Sequence, residues 1–529
     1  MPIRLLKWRT ELLKQFIHDE LPLLFVWLIL GLCAGFLYSI QLLGIDEAAA
    51  VLPLERARSL HISQMLYGFF PLLLSLLPFA LFEKEGVLTA GAIKNLRRYF
   101  VVWNTFLLFM SLALVFGNLR GLPFYDFPYQ LNFLLAFSGV FYLIALVDAL
   151  RRYERRPLWV NVSLAVVMVA PILLIVLMNP QYGQVEKTLV GPHGDNTLGM
   201  SFALLPLYYL LIKLAAKKPF VPRWHLLWII PLAGYVVSLF IRNFLHSLSY
   251  NEEWFFQYLT LLYLPLLWRW WKDAGLGFSH NPYLFFSIAA FVFVDAEGNL
   301  LFIPQIRELI HRNDLVVGHA HIAMGIAVAF MALSIVHRYL PGLITRACAI
   351  GWTTLVALMA FSLTLAGMAE AGWIHADVQW FWGARSLFGF VLIVMVGQIL
   401  WRRLRPGTLS GLEAYHWIGL MSDFGGGALL LLFGGYLFHM MGFGFSGTYE
   451  YIVFAFMIGT GIVHWYGLQG DPERMGAASA AIRLLVSATF CALYMAGVLD
   501  GIALLVAAYD GAFGMLYWLW LRGYPKEAV

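Results

Sequence analysis

Charge is what this chain has least of. Only 12% of its 529 residues are Asp, Glu, Lys or Arg, about half the roughly 25% expected of a soluble globular protein, while 61% are hydrophobic. Such a composition excludes a soluble domain and places the chain among membrane lipids. Cysteine is almost as scarce. Cys33, Cys348 and Cys491 are the three present, each alone in an apolar stretch, so neither a disulfide framework, a CxxC metal site nor a CxxCH heme attachment can be built. The net charge of +5, from 35 basic and 30 acidic residues, reports loops on one membrane face rather than a nucleic-acid partner. Low-complexity tracts and internal repeats are not evident on reading along the chain.

Long apolar runs are abundant. At about 20 residues per crossing, sixteen spans are expected: the run from Leu21 to about Gly44, then stretches centred near residues 70, 108, 140, 168, 207, 235, 262, 292, 326, 358, 392, 427, 458, 489 and 510. The first run is too long for a signal-peptide core and is expected to remain as a span, behind a basic, partly amphipathic segment over 1–20. The segment WRRLRPGTLSG (401–411) is the one break in composition. The expected organisation is thus an all-α polytopic membrane protein with a twelve-span core over 21–405 and a four-span extension over 406–529. Basic residues concentrate in alternate connections, for example Arg151, Arg152, Arg155 and Arg156, and again Arg402, Arg403 and Arg405. Both termini are therefore expected on the cytoplasmic side, in a membrane such as the bacterial inner membrane.

Ionisable side chains within spans are costly, and each is a functional candidate by default. Of the fourteen histidines, His18, His225, His280, His337, His416 and His464 fall at cytoplasmic ends of spans, where a loop or snorkelling role suffices. His61, His193, His246, His311, His319, His321, His375 and His439 fall toward the outer face. His61, in the second span, and His319 and His321, in the tenth, are expected one or two turns below the surface, at a common depth. Positions i and i+2 on a helix lie about 200° apart. His319 and His321 therefore cannot chelate one metal from the same face, but they can serve two cofactors on opposite sides. A neutral imidazole nitrogen is the common axial donor to heme iron.

These residues resemble the catalytic subunit of the heme-copper oxidases, closest to the C-type (cbb-type) oxidases and the nitric oxide reductases, over about residues 20–405. SLHISQMLYGF is similar to the family's second helix, whose histidine binds the low-spin heme, and GHAHIAMG to its tenth, which binds both hemes. The resemblance implies His61 and His321 as the low-spin pair and His319 as the high-spin ligand. NPYLFFSIAAFVFVDAEGNLLFIPQIRELIHRND is similar to the C-type approach to the tenth helix. It implies Glu297 and His311 near the heme propionates or a bound cation, unless both are ordinary loop polar residues.

Departures from the family pattern fall on the copper site. The sixth helix, GDNTLGMSFALLPLYYLLIK, carries Asp195-Asn196 where the family has a His-Asn pair. The seventh, PLAGYVVSLFIRNFLHSL, carries Ile241-Arg242 where a His-His pair is expected, with His246 further on. Tyr235 stands six residues before Ile241, at the position of the C-type active-site tyrosine. Three imidazoles for copper are not available, and carboxylate and guanidinium groups suit it poorly. Asp195 and Arg242 either form an ion pair in place of the metal, or Asp195 caps its helix while Arg242 snorkels outward.

The resemblance implies two b-type hemes, no copper, and reduction of a diatomic gas, O2 or NO, if the protein is catalytic. Electrons would come from a donor subunit, cytochrome c or quinol. One alternative is a nitric-oxide-reductase-like enzyme with a non-heme iron on some of Asp195, His193 and His246; another is a non-enzymatic gas sensor or electron-transfer protein. The last four spans, with His416, Asp423, His439 and the run Gly425-Gly426-Gly427, are expected to form an accessory or partner-docking unit.

Overall fold

The computed structural model describes residues 12–45, 47–122, 125–176, 178–180, 194–223, 225–310, 313–404, 411–440, 444–469, 471–499 and 502–521. Among the described residues every regular element is helical, and sixteen main helices follow one another. They are α1 Leu12–Gln41, α2 Leu54–Lys84, α3 Ala90–Val115, α4 Tyr129–Leu150, α5 Leu158–Ile175, α6 Gly194–Ala215, α7 Leu226–Leu245, α8 (250–273), α9 Pro282–Leu301 and α10 Asp314–Tyr339. There follow α11 Arg346–Glu370, α12 Val378–Leu404, α13 (411–440), α14 Tyr449–Gln469, α15 Pro472–Met495 and α16 (502–521). Each of the sixteen apolar stretches falls on one of them.

Twelve of these helices are, among the described residues, long and apolar enough to cross a membrane. The four others are α6, α8, α13 and α16. In α8 the reason is plain, since it opens with Glu252 and Glu253, closes with Lys272 and Asp273, and tightens to a 3₁₀ stretch at Leu259–Leu262. With its helices exposing apolar side chains such as Leu108, Phe133, Leu158 and Phe361 outward, the protein is an all-α polytopic membrane protein.

The chain divides into two compact units, Met1–Arg403 and Leu404–Val529. In the first, buried aromatics including Phe16, Phe25, Phe69, Phe100, Tyr208, Tyr263 and Trp270 fill the core. Its functional helices are set by small residues, which let backbones approach where lipid gives no hydrophobic drive for helix association. A Cβ on Gly318 would stand 2.8 Å from the Ala360 carbonyl, and one on Gly367 would strike the backbone of Leu315. Both lock α10 against α11. Asn313 caps α10 by accepting from the Leu315 N–H at 3.0 Å and donates to the Gly367 carbonyl at 2.9 Å, while the Asp314 N–H donates to Glu370 at 3.0 Å. The depth of everything on the first two turns of α10 is thereby fixed. Just beyond, Ala323–Val328 forms a π-helical turn, a feature frequent at functional sites.

The second unit has a smaller core of Leu412, Tyr415, Ala480, Phe513 and Tyr517. Between Gly419 and Gly426, α13 also carries a π-helical turn, Leu420–Gly425.

Candidate functional site

His61 and His321 each stand seven residues past the start of their helices (54 to 61, 314 to 321), about 10 Å in at 1.5 Å per residue. The fold brings their rings together. Their ring centroids are 6.3 Å apart with planes inclined by 20°. With imidazole–metal bonds of about 2 Å and ring nitrogens about 1.1 Å from their centroids, one metal between two imidazoles sets the centroids about 6 Å apart.

The tautomers suit such a pair. His61 Nδ1 donates to the Gly31 carbonyl at 2.8 Å, and His321 Nδ1 to the Val317 carbonyl at 2.7 Å. Each bond places the proton on Nδ1 and leaves the Nε2 lone pair free, which is how metal-ligating histidines are oriented. Room for the first ring comes from α1. A Cβ on Gly35 would lie 2.5 Å from His61 Nδ1, 2.8 Å from Cε1 and 3.0 Å from Cγ.

His319 belongs to a separate arrangement. Its Nδ1 lies 3.2 Å from Glu297 Oε2, with both side chains only partly exposed, so Nδ1 donates to the carboxylate and Nε2 is the nitrogen turned away from it. Gly298 beside the carboxylate clears space, since a Cβ there would sit 3.2 Å from His319 Cε1. Glu297 is thus the hydrogen-bond partner of His319. A histidine held by a carboxylate is the more basic and better-oriented ligand.

Arg385 completes the site, and the sequence reading passed over it. It lies one turn below Trp382 on α12, only 6% exposed, within electrostatic reach of His321 and Asp314. Its Nη2 donates to the Ser39 carbonyl at 3.2 Å, but its Nε has no partner. A buried guanidinium with an unused N–H points to a missing acceptor, of which a carboxylate is the best match. Its signal in the sequence was simply a cation inside WFWGARSLFGF.

The expected distal residues are not gathered in the same way. Tyr235 and Arg242 lie on α7 and are partly exposed; the Tyr235 carbonyl accepts from the Ser238 hydroxyl at 2.8 Å, and Arg242 lies within a π-helical turn, Ile241–Leu245. His246 follows that turn and is exposed, with Nδ1 bonded to the Ser247 carbonyl at 2.8 Å and Nε2 3.7 Å from Glu252. His193 and His311 lie outside the described residues, as does the side chain of Asp195 at the start of α6. The Asp195–Arg242 pair therefore stays an expectation. Among the described residues no three His, Cys, Asp or Glu side chains converge on a point where one metal ion could be held. The donor sets that the fold presents are pairs and single imidazoles.

These features define an integral membrane protein with an intramembrane imidazole pair and a third, carboxylate-linked imidazole. No protein-family model matches the chain, and no curated protein matches it.

Proposed function

We propose that the first unit is a heme-holding electron-transfer core of the heme-copper oxidase type. The observation that carries this reading is the His61–His321 pair, whose ring spacing and unprotonated Nε2 atoms suit two imidazoles that would share one heme iron. His61 and His321 would hold one b-type heme and His319 a second, supplying one-electron transfer and an open iron position for a diatomic gas, O2 or NO. The chain's own residues do the positioning. The Gly31 and Val317 carbonyls fix the tautomers of the pair, Gly35 and Gly298 make space for rings, Glu297 orients His319, and Arg385 offers an N–H to a carboxylate.

Copper is not expected, because α6 and α7 supply no set of three imidazoles and His246 is engaged with Ser247 and Glu252. Tyr235, Arg242 and Asp195 are the polar groups left for the distal side. Electrons would enter from a donor subunit, cytochrome c or quinol. The alternating basic loops favour both termini in the cytoplasm, in a membrane such as the bacterial inner membrane.

Pyridine hemochrome analysis, a reduced optical spectrum with and without CO, and metal analysis of the purified protein test the reading. Two protohemes per chain are expected, with CO perturbing only part of the spectrum. One heme or none would overturn it. Stoichiometric non-heme iron would instead promote the nitric-oxide-reductase-like alternative, and two hemes without gas turnover would promote the non-enzymatic one.

A further inference from the structure

The second unit contains a polar chain that this function does not use. His416 on α13 opens the pentapeptide HWIGL, and His464 on α14 opens HWYGL, 48 residues later. The two segments pack reciprocally. A Cβ on Gly419 would collide with the His464 ring, and a Cβ on Gly467 with the His416 ring. Each copy of the motif thus opens the gap into which the other copy's histidine fits. Both histidines are fully buried, contrary to the loop or snorkelling role expected for them.

Their hydrogen bonds have one consistent assignment for neutral rings. His416 Nε2 lies 2.7 Å from the Pro472 carbonyl, which only accepts, so that nitrogen carries the proton and His416 Nδ1 is an acceptor. His464 Nδ1, 3.0 Å away, must then donate to it, leaving His464 Nε2 to accept from the Ser479 hydroxyl at 2.8 Å. Every donor in the chain points from the unit's interior toward Pro472, the first residue of α15.

At the inner end lies an ionic triad. Arg483 donates to Asp423 and, at 2.6 Å, to Asp510. The side chains are 2%, 5% and 16% exposed. One guanidinium against two carboxylates leaves one uncompensated negative charge at a depth where charge is expensive, and one proton would cancel it. Asp423 Oδ2 is 3.7 Å from His464 Nε2. The groups facing the pair are Tyr415 from α13, Asp423 from its π-helical turn, Arg483 from α15, and Tyr509 and Asp510 from α16. Arg483, which also lies 4.2 Å over the Phe513 ring, is the one cation among them.

We infer that the second unit is a proton half-channel, in which His464 and His416 carry protons between the Asp423–Arg483–Asp510 triad and the membrane face at Pro472. When the His416 Nε2 proton leaves to water beyond Pro472, the His464 Nδ1 proton crosses to His416 Nδ1, and His464 Nε2, released as the Ser479 hydroxyl rotates away, takes a proton from the Asp423 carboxyl. Three bonds to hydrogen break and three form, and one proton moves outward. The reversed order of donors then carries a proton back in.

The experiment uses the full chain in liposomes, with the carboxyl protonation of Asp423 and Asp510 followed by infrared difference spectroscopy after the bulk pH is stepped down. A protonated-carboxyl band is expected, lost in Asp423→Asn or Asp510→Asn. In His464→Gln and His416→Gln it should reach the same amplitude on the order of tenfold or more slowly. A purely packing role would lower the melting temperature of these variants and leave the rate unchanged. Unchanged rates, or no band in the wild type, would overturn the inference. In ¹⁵N-histidine NMR of the full chain, with the two resonance pairs assigned by their loss in His416→Gln and His464→Gln, His464 should be protonated at Nδ1 and His416 at Nε2. The same tautomer at both would equally overturn the inference.

Discussion

Gly35→Ala tests the link between helix packing and the imidazole pair. The added Cβ would lie 2.5 Å from His61 Nδ1, against about 3.4 Å for ordinary contact, so the ring must retreat by about 0.9 Å. It cannot do so freely, because Nδ1 is held by the Gly31 carbonyl at 2.8 Å on the same helix that carries the new methyl. Overpacking of this kind costs about 1–3 kcal/mol, and parting a buried donor from its acceptor about 1–3 kcal/mol more. The expected loss is therefore about 2–6 kcal/mol, together with a weakened low-spin heme signal. Gly397→Ala is the control, since a Cβ there meets nothing within 4 Å; exchanging a helical glycine for alanine in open space stabilises by up to about 1 kcal/mol. Denaturant titration in mixed micelles, read by circular dichroism beside the reduced optical spectrum, measures both variants. If Gly35→Ala is as stable as Gly397→Ala and keeps its spectrum, the α1–α2 contact at His61 is wrong.

His61→Ala and His321→Ala should each abolish the low-spin signal, whereas His319→Ala should remove CO binding and spare that signal; equal effects of all three in the optical spectrum would contradict the separation of the two arrangements. Arg385→Leu should release heme during gel filtration in detergent while leaving the helical circular dichroism unchanged, because the guanidinium has an N–H to give that the protein does not use; full heme retention would refute this. Arg483→Met should destabilise by about 3–5 kcal/mol by leaving two buried carboxylates uncompensated. That deficit should shrink as the pH falls and the carboxylates protonate, and a melting-temperature difference from wild type that does not change with pH would argue against the triad.

Much of the fold could be read from hydropathy because a membrane leaves the chain few options: a run of about 20 apolar residues must satisfy its backbone internally, as a helix. All sixteen runs are helical, although α8 and the other three less apolar or shorter helices fall below what length and composition alone assign to a crossing. The common depth of His61, His319 and His321 was legible for the same reason, since residue count along a helix is distance into the bilayer. Lateral neighbours were not. Depth alone put His416 and His464 with the snorkelling side chains, whereas they meet each other across two helices, and the pentapeptide that brings them together is too short to stand out as a repeat. Arg385 and the Glu297–His319 contact were missed on similar grounds. Periodicity says which face of a helix is polar, but not which other helix stands opposite.

The π-helical turn at Ala323–Val328 sits directly between the half of α10 that carries the histidines and the half, Ala329–Val336, that is wholly buried in the core. A widened turn holds one more residue than a regular one, and each residue in a helix turns its successors by about 100°. Deleting a single residue there would restore a regular helix with the two halves still facing as they do, whereas closing the wide turn without a deletion would swing one half by more than a quarter-turn relative to the other. The two halves of α10 are in this sense separately keyed parts on one shaft. The lower one is matched to the aromatic core, the upper one to its imidazole partners, and the wide turn sets the angle between them.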